Sequence, residues 1–350
     1  MIQVAEALAN ALTAGHTTAE PLPVTAGPSG SFGFLDELRA RSPDLVINLC
    51  ESLAADSRGE MAVPALLDVL GVSYTGSSAL SLGLALHKDK AKELLRARNV
   101  ATPEFHVVSK LEDVVTVELP FPLIVKPARE DASVGVDFDS VVHDRKALGK
   151  ACGWVLRNLH QPALVERFVE GREIYVPILG NSPRRALPLS EIHFGKAFEG
   201  RPNIVSYRAK WELDSPECID SPSGPCTLDE VTQERVVRTA LAAFDALDCR
   251  DYGRVDLRLS SSGEPYVIDI NPNCDLHPEA GFARSAAAAG IDFAALAQRL
   301  VEISLERSHG NSTDRAAAQG QPRRAAGTNR NLLAGRSGLR HRAHRPLASG

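Results

Sequence analysis

The chain contains no stretch of about 18 uninterrupted apolar residues, which argues against a membrane-spanning helix. Its opening residues, MIQVAEALANALTAGH, lack a positive flank and carry Glu6 early, so they do not read as a secretory signal. Six cysteines are scattered without a CxxC pair, the usage expected of reduced thiols in a cytosol. No GxxxxGK[ST] loop occurs, which argues against a P-loop ATPase, and no GxGxxG dinucleotide fingerprint occurs either. An internal repeat is absent, as is any recognisable Ser/His/Asp or Cys/His constellation for nucleophilic catalysis. What remains is a globular composition, 44% apolar and 24% charged, in 350 residues, long enough for two or three packed domains. The expectation is a cytoplasmic protein.

Charge is unevenly placed. From His309 to Gly350 eight Arg face a single acid, Asp314, with no Lys, a net of +7. The preceding residues hold 31 bases and 43 acids and net −12. The tail has no apolar period and is expected not to pack. Only this basic segment offers a nucleic-acid or anionic-surface arm.

Up to about residue 86, helical and strand patterns alternate. Val4, Leu8 and Leu12 recur at helical spacing before Gly15. DLVINLC (44–50) reads as a short buried parallel strand, and MAVPALLDVLGV (61–72) as the next helix. This alternation predicts an open α/β domain. The chain opens with a helix where such domains usually open with a strand, so the domain is expected to lack its first strand. From residue 87 a basic helix, KDKAKELLRARNV, precedes the strand-like EFHVV, PLIVK and ALVERFV. A helix over roughly 228–247, a two-stranded unit and a final helical region to Glu306 follow.

The two-stranded unit carries the metal argument. Alternation places Arg254, Asp256 and Arg258 of GRVDLRL on one face. On EPYVIDIN it puts Tyr266, Ile268 and Ile270 on the apolar face, with Asp269 and Asn271 on the polar one. A tight turn at Ser262-Gly263 sets Asp256 opposite Asp269, where like charges about 5 Å apart repel. Mg²⁺, held by a few carboxylate or amide oxygens of Asp256, Asp269 and Asn271, relieves that repulsion. The alternative is an ion-paired hairpin in which Arg254 and Arg258 neutralise the acids.

Two further segments suit a nucleotide. PLIVKPAREDASVGV (122–136) puts Lys126 at a strand end, and Ser133, Val134 and Gly135 in a small-residue loop whose N–H groups can approach phosphate oxygens. ALVERFVEGREIYV (163–176) reads as strand, Glu-Gly turn, strand. Glu166, Arg167, Phe168 and Val169 offer a backbone edge and an apolar wall for adenine, and Glu173 an acceptor for ribose hydroxyls. Taken alone, the first segment reads more simply as a solvated strand end and the second as a plain hairpin.

In this order, over about residues 44–306, these motifs resemble the ATP-grasp fold, and within it the D-alanine–D-alanine ligase group. The resemblance includes LLDVLGVSYTGSSALSLGLALHKDKAKELLRARNVATPEF, SYRAKW (206–211), CRDYGRVDLRL and YVIDINPN. It implies an α/β chain, α+β in its ATP-grasp part: an N-terminal domain (1–86), a central lobe (87–165), a C-terminal lobe with the metal site (166–308) and the tail (309–350). It further implies that Lys88 and Lys126 hold ATP phosphates beneath the Ser133–Gly135 loop. Glu166 to Val169 match the adenine hinge and Glu173 the ribose acid. Lys210 matches a lysine that approaches the γ-phosphate, and Arg254 the arginine that steadies an acyl phosphate. Asp256, Asp269 and Asn271 match the ligands of Mg²⁺ or Mn²⁺. The implied chemistry is ATP-dependent joining of a carboxylate and an amine through an acyl phosphate, in enzymes that are often homodimers.

The chain also departs from that pattern. Asp131 and Ala132 replace a Gly and the first of two Ser in the closing loop, and Trp211 stands where a Tyr is expected. After Asn271 the chain reads PNCDLHPEAGF (272–282), with Asp275 in place of a Gly and Ala280-Gly281 in place of Ser-Leu. The Ser-Ala-Glu segment that contacts the first D-alanine is missing. The expectation is altered amino-acid specificity, the alternatives being a genuine D-alanine–D-alanine ligase or a non-catalytic nucleotide-binding protein. Asp275, His277 and Glu279 either cap a loop on the C-terminal helix, the simpler reading, or line an acid-bearing pocket.

Overall fold

The computed structural model describes residues 2–25, 32–53 and 56–319, the last twelve as backbone alone. Residues 1–310 form one compact unit. In the other, the backbone of 311–319 is helical, and the remaining basic tail, 320–350, lies outside the described residues.

The chain begins with helices α1 (Ile2–Ala14), α2 (Phe34–Arg41), α3 (Ala62–Leu70), α4 (Ala79–Leu86) and α5 (Lys88–Ala97). Gly71 ends α3 in the left-handed conformation, a regular use of glycine after a helix. The strand expected at 44–50 is reduced to a single parallel bridge, Val46 to Tyr74. No second strand lies beside it among the described residues, and so short an isolated pair gains too little to extend. α2 and α3 close a small core through Leu38, Val63, Leu67 and Tyr74. α1, whose Val4, Leu8 and Leu12 are buried as its spacing predicts, packs instead with Phe282, Leu296 and Leu300 near the other end of the chain.

Next come β1 (Phe105–Val108), β2 (Leu123–Pro127), β3 (Val141–Val142), α6 (Arg145–Asn158) and β4 (Ala163–Arg167). They form an antiparallel sheet of order β1-β4-β2-β3, with α6 on one face sealing Val108, Leu123, Val125, Leu148 and Val165. The remaining elements are β5 (Gly171–Leu179), β6 (Arg185–Ala186), β7 (Ser190–Ile192), α7 (Tyr207–Trp211), α8 (Pro216–Ile219), β8 (Ser223–Pro225), α9 (Glu230–Ala246), β9 (Tyr252–Ser260), β10 (Pro265–Asn271), α10 (Gly281–Ala288) and α11 (Phe293–Gln319). The second sheet runs β10-β9-β5-β7-β8, with β6 on β5. Its inner face and α9 bury Ile174, Val176, Val255, Leu257 and Phe244. α11 runs past Glu306, where the sequence pattern ended the helical region, to Gln319.

Two expectations are corrected. β4 and β5 are not a hairpin: they lie in different sheets, and residues 168–170 cross between them. On β10 the register shifts between Val267 and Asp269, so Ile268 is an extra residue. Such a bulge reverses the alternation beyond it. Val267 and Ile270 therefore face the core, while Tyr266 and Ile268, expected there, do not. The bulge also brings Asp269 opposite Asp256, the pairing that a simple turn register predicted. Among the described residues, no helix is long and apolar enough to cross a membrane.

Candidate active site

The seam between the two sheets holds a cavity of ≈ 1050 Å³. Of the residues singled out in the sequence, Lys88, Lys126, Ser133, Val134, Glu166, Arg167, Phe168, Val169, Glu173, Lys210, Arg254, Asp256, Asp269 and Asn271 all line it. Gly135 does not. It adopts φ +71°, and an added Cβ would lie 2.9 Å from Leu159 and 3.1 Å from Trp154, so its role is to let the loop turn against α6.

The floor is built by alternation on three strands. β9 is central, with Arg254, Asp256 and Arg258 opposite Asn271, Asp269 and Tyr266 on β10, and opposite Pro177, Tyr175 and Glu173 on β5. Asp256 accepts from Arg254 Nε at 2.6 Å and Nη2 at 2.8 Å, and from Asn271 Nδ2 at 3.1 Å. Asp269 accepts from Lys88 Nζ at 2.7 and 2.6 Å. Each opposed carboxylate thus has its own cation, and the partner of Asp269 comes from α5 rather than from Arg258. Burial nevertheless raises Asp269 above the ordinary carboxylate range, with Asp131 and Asp256 adding to the rise against Lys88. Burial would lower Lys88, but Asp269 and Asp131 outweigh it and hold the amine raised.

Lys88 is placed by its own N–H, which donates to Ala128 O just beyond β2. Lys126, on β2, meets Glu166 of the neighbouring β4 at 2.8 Å. The same carboxylate meets Lys92 at 2.5 Å. Lys92 in turn donates to Thr102 Oγ1 and to Val267 O, the carbonyl beside the bulge. Burial alone would push Glu166 up, but Lys126 and Lys92 together bring it down to about 2. Glu166 is 0% exposed, so its side chain is a structural anion between two lysines as well as part of the hinge.

At the hinge, the N–H groups of Arg167 and Phe168 are taken by Glu104 O and Pro122 O. The N–H of Val169 has no acceptor among the described residues. Above the floor, two loops meet. Ser133 Oγ donates to Val205 O at 2.9 Å, Trp211 Nε1 to Ala132 O at 2.9 Å, and Tyr207 N to Val136 O at 2.9 Å. Trp211, which has no hydroxyl, and Ala132, which has none either, are thereby joined through an indole N–H and a main-chain carbonyl. Ser206 caps α7 by accepting from Ala209 N, and Lys210 projects from this one-turn helix toward the cavity.

Four residues of the site were not singled out from sequence: Lys92, Tyr175, Asn273 and Glu60. The Tyr175 ring lies 4.3 Å beneath the Arg254 guanidinium, and its hydroxyl donates to Glu173 Oε1. Strand alternation along β5 puts Tyr175 on the face that carries Glu173. Asn273 accepts from Tyr252 OH and donates to Cys50 O and Glu60 Oε1, tying the loop after β10 to the N-terminal segment. No local pattern could reveal a contact across such a separation. Burial pushes Glu60 up to about 8. With Asp275 and Glu279 it lines the same cavity as Arg254.

Residues 94–302 match the family described as D-ala D-ala ligase C-terminus. The chain is 34% identical over 274 residues to the uncharacterised protein y4sG of Sinorhizobium fredii, covering 78% of each. It is 34% identical over 260 residues to a D-alanine–D-alanine ligase of Desulforudis audaxviator, covering 70% of this chain and 77% of that one. Among solved structures, it superimposes on the D-alanine–D-alanine ligase of Bacillus anthracis complexed with ATP with a TM-score of 0.67. That match has 26% identity and covers 88% of this chain and 94% of the other. The chain therefore belongs to the D-alanine–D-alanine ligase family of ATP-grasp, ADP-forming ligases.

Proposed function

We propose that this enzyme joins a carboxylate to an amine through an acyl phosphate, on substrates other than two D-alanines. The observation that carries the reading is that one cavity is lined both by cations suited to phosphate, Lys88, Lys126 and Lys210, and by carboxylates outside the opposed pair, Glu51, Asp275 and Glu279. These carboxylates favour an acceptor with additional positive charge, whereas Glu60, pushed up to about 8 by burial, is mostly protonated at neutral pH and adds little to it.

In this reading Val169 offers its N–H to adenine, Glu173 accepts from the ribose, and the Ser133–Gly135 loop with α7 excludes water. Arg254, its guanidinium carbon 4.3 Å from the Tyr175 ring centroid, steadies negative charge as the acyl phosphate forms and as the amine displaces phosphate. Asp256, Asp269 and Asn271 fit a hard divalent cation. Two carboxylates stand opposed with an amide beside them, an all-oxygen donor set of the kind such a cation takes. When bound, Mg²⁺ or Mn²⁺ would neutralise charge between the phosphates. Positioning and charge neutralisation suffice, so no side-chain nucleophile is needed.

ADP release from Mg·ATP, measured across single and paired amino acids and polyamines, tests the reading. Release that requires two partners, one of them an amine with additional positive charge, is expected. Release with D-alanine alone would overturn the specificity assigned to the 272–282 loop. Asp269→Asn should lower turnover at least about a hundredfold with the fold retained, and turnover like that of the unaltered chain would remove the metal assignment.

A further inference from the structure

We infer that Arg258 is a positioning residue of the nucleotide pocket: it fixes the ribose-facing carboxylate of Glu173 and ties it to the hinge and to the second closing loop. The inference rests on the ATP-site reading above and deepens it. Arg258 sits directly across β9–β5 from Glu173 and is 4% exposed. One guanidinium reaches three separate parts of the pocket. Nε donates to Val169 O at 3.0 Å, and Nη1 donates to Glu173 Oε2 at 3.0 Å and to Asn203 O at 2.8 Å. The guanidinium carbon lies 5.3 Å from the centroid of the Phe168 ring.

Glu173 is consequently held at both oxygens, Oε2 by Arg258 and Oε1 by Tyr175 OH at 3.0 Å. A carboxylate fixed in this way keeps its remaining lone pairs aimed in one direction, which is what recognition of a vicinal diol requires. Only a planar fork makes such divergent bonds, and a lysine could make one of them at a time. Nη2 is buried and has no partner among the described residues. A buried guanidinium with an idle donor is a poor device for stability, since an apolar side chain of similar volume fills the space without that cost. Its retention on the wall of the nucleotide cavity is accounted for by a role in the site.

The test is calorimetric titration with ATP and with 2′,3′-dideoxy-ATP, both with Mg²⁺. The unaltered chain should prefer ATP by about tenfold. In Arg258→Met the preference should fall to about twofold, with Arg258→Lys in between, because the diol meets an unfixed carboxylate. In a Glu173→Gln background, Arg258→Met should change the preference no further. A merely structural arginine would weaken both nucleotides alike and leave their ratio intact. An unchanged ratio in folded Arg258→Met, or in Arg258→Lys should the former not fold, would overturn the inference while leaving the ATP site standing. Failure of the unaltered chain to bind ATP would overturn the proposed function and this inference with it.

Discussion

Glu166 shows how a single residue in this site does two jobs. Its backbone stands where the resemblance implies an adenine hinge, while its carboxylate compensates two buried lysines, a role that no sequence pattern indicated. The charge has a consequence for pH. With its folded value at about 2 against an ordinary 4.5, Glu166 contributes stability that is fully present above pH 4.5 and lost as pH falls toward 2. Lys92→Met keeps the volume but removes one of its two cations, so the folded value should rise and the acid loss should be smaller and complete at higher pH. Thermal unfolding between pH 7 and 2.5 measures this. Superimposable profiles for the two proteins would mean that Lys92 does not hold Glu166 down.

At the scale of elements, the 132–136 loop and the segment carrying α7 are joined by three hydrogen bonds, and Trp211, 51% exposed, supplies one from its side chain. Trp211→Phe removes that donor with little change in packing. The loss of about 1 kcal/mol should raise the apparent KM for ATP about fivefold with little change in melting temperature. An unchanged KM would show that the indole is not part of the closure. The elements themselves were largely readable: α5, α9, β2, β9 and β10 fall where periodicity put them, because each buries one face against its own sheet or a neighbour. The strand at 44–50 was misread because a short apolar run reports burial and not pairing. The faces of Tyr266 and Ile268 were misread because a bulge leaves no mark on composition. The parting of β4 from β5 was equally invisible, since a Glu-Gly pair suits a hairpin and a crossing alike.

For the molecule as a whole, the tie between its first and last parts passes through Asp251. This fully buried carboxylate, at φ +65°, accepts from Gly76 N, Asn181 Nδ2, Ser304 Oγ and Arg307, whose Nη2 also donates to Tyr74 O. Asp251→Ala strands Arg307 and several donors at once and should cost about 3–5 kcal/mol, read as a lower urea midpoint. A loss below about 0.5 kcal/mol, the range of ordinary surface changes, would show the cluster to be dispensable. The packing of α1 carries a further consequence, for synthesis. β1 to β4 come from one continuous segment, 105–167, and can close their sheet as soon as it has left the ribosome. β5 must wait for β9, and α1 longer still, because Val4, Leu8 and Leu12 find their partners only when Leu296 and Leu300 have been made. α1, made well before its partners, is thus among the last of these elements to reach its place, and its apolar stripe is exposed to chaperones and to other nascent chains for most of that interval.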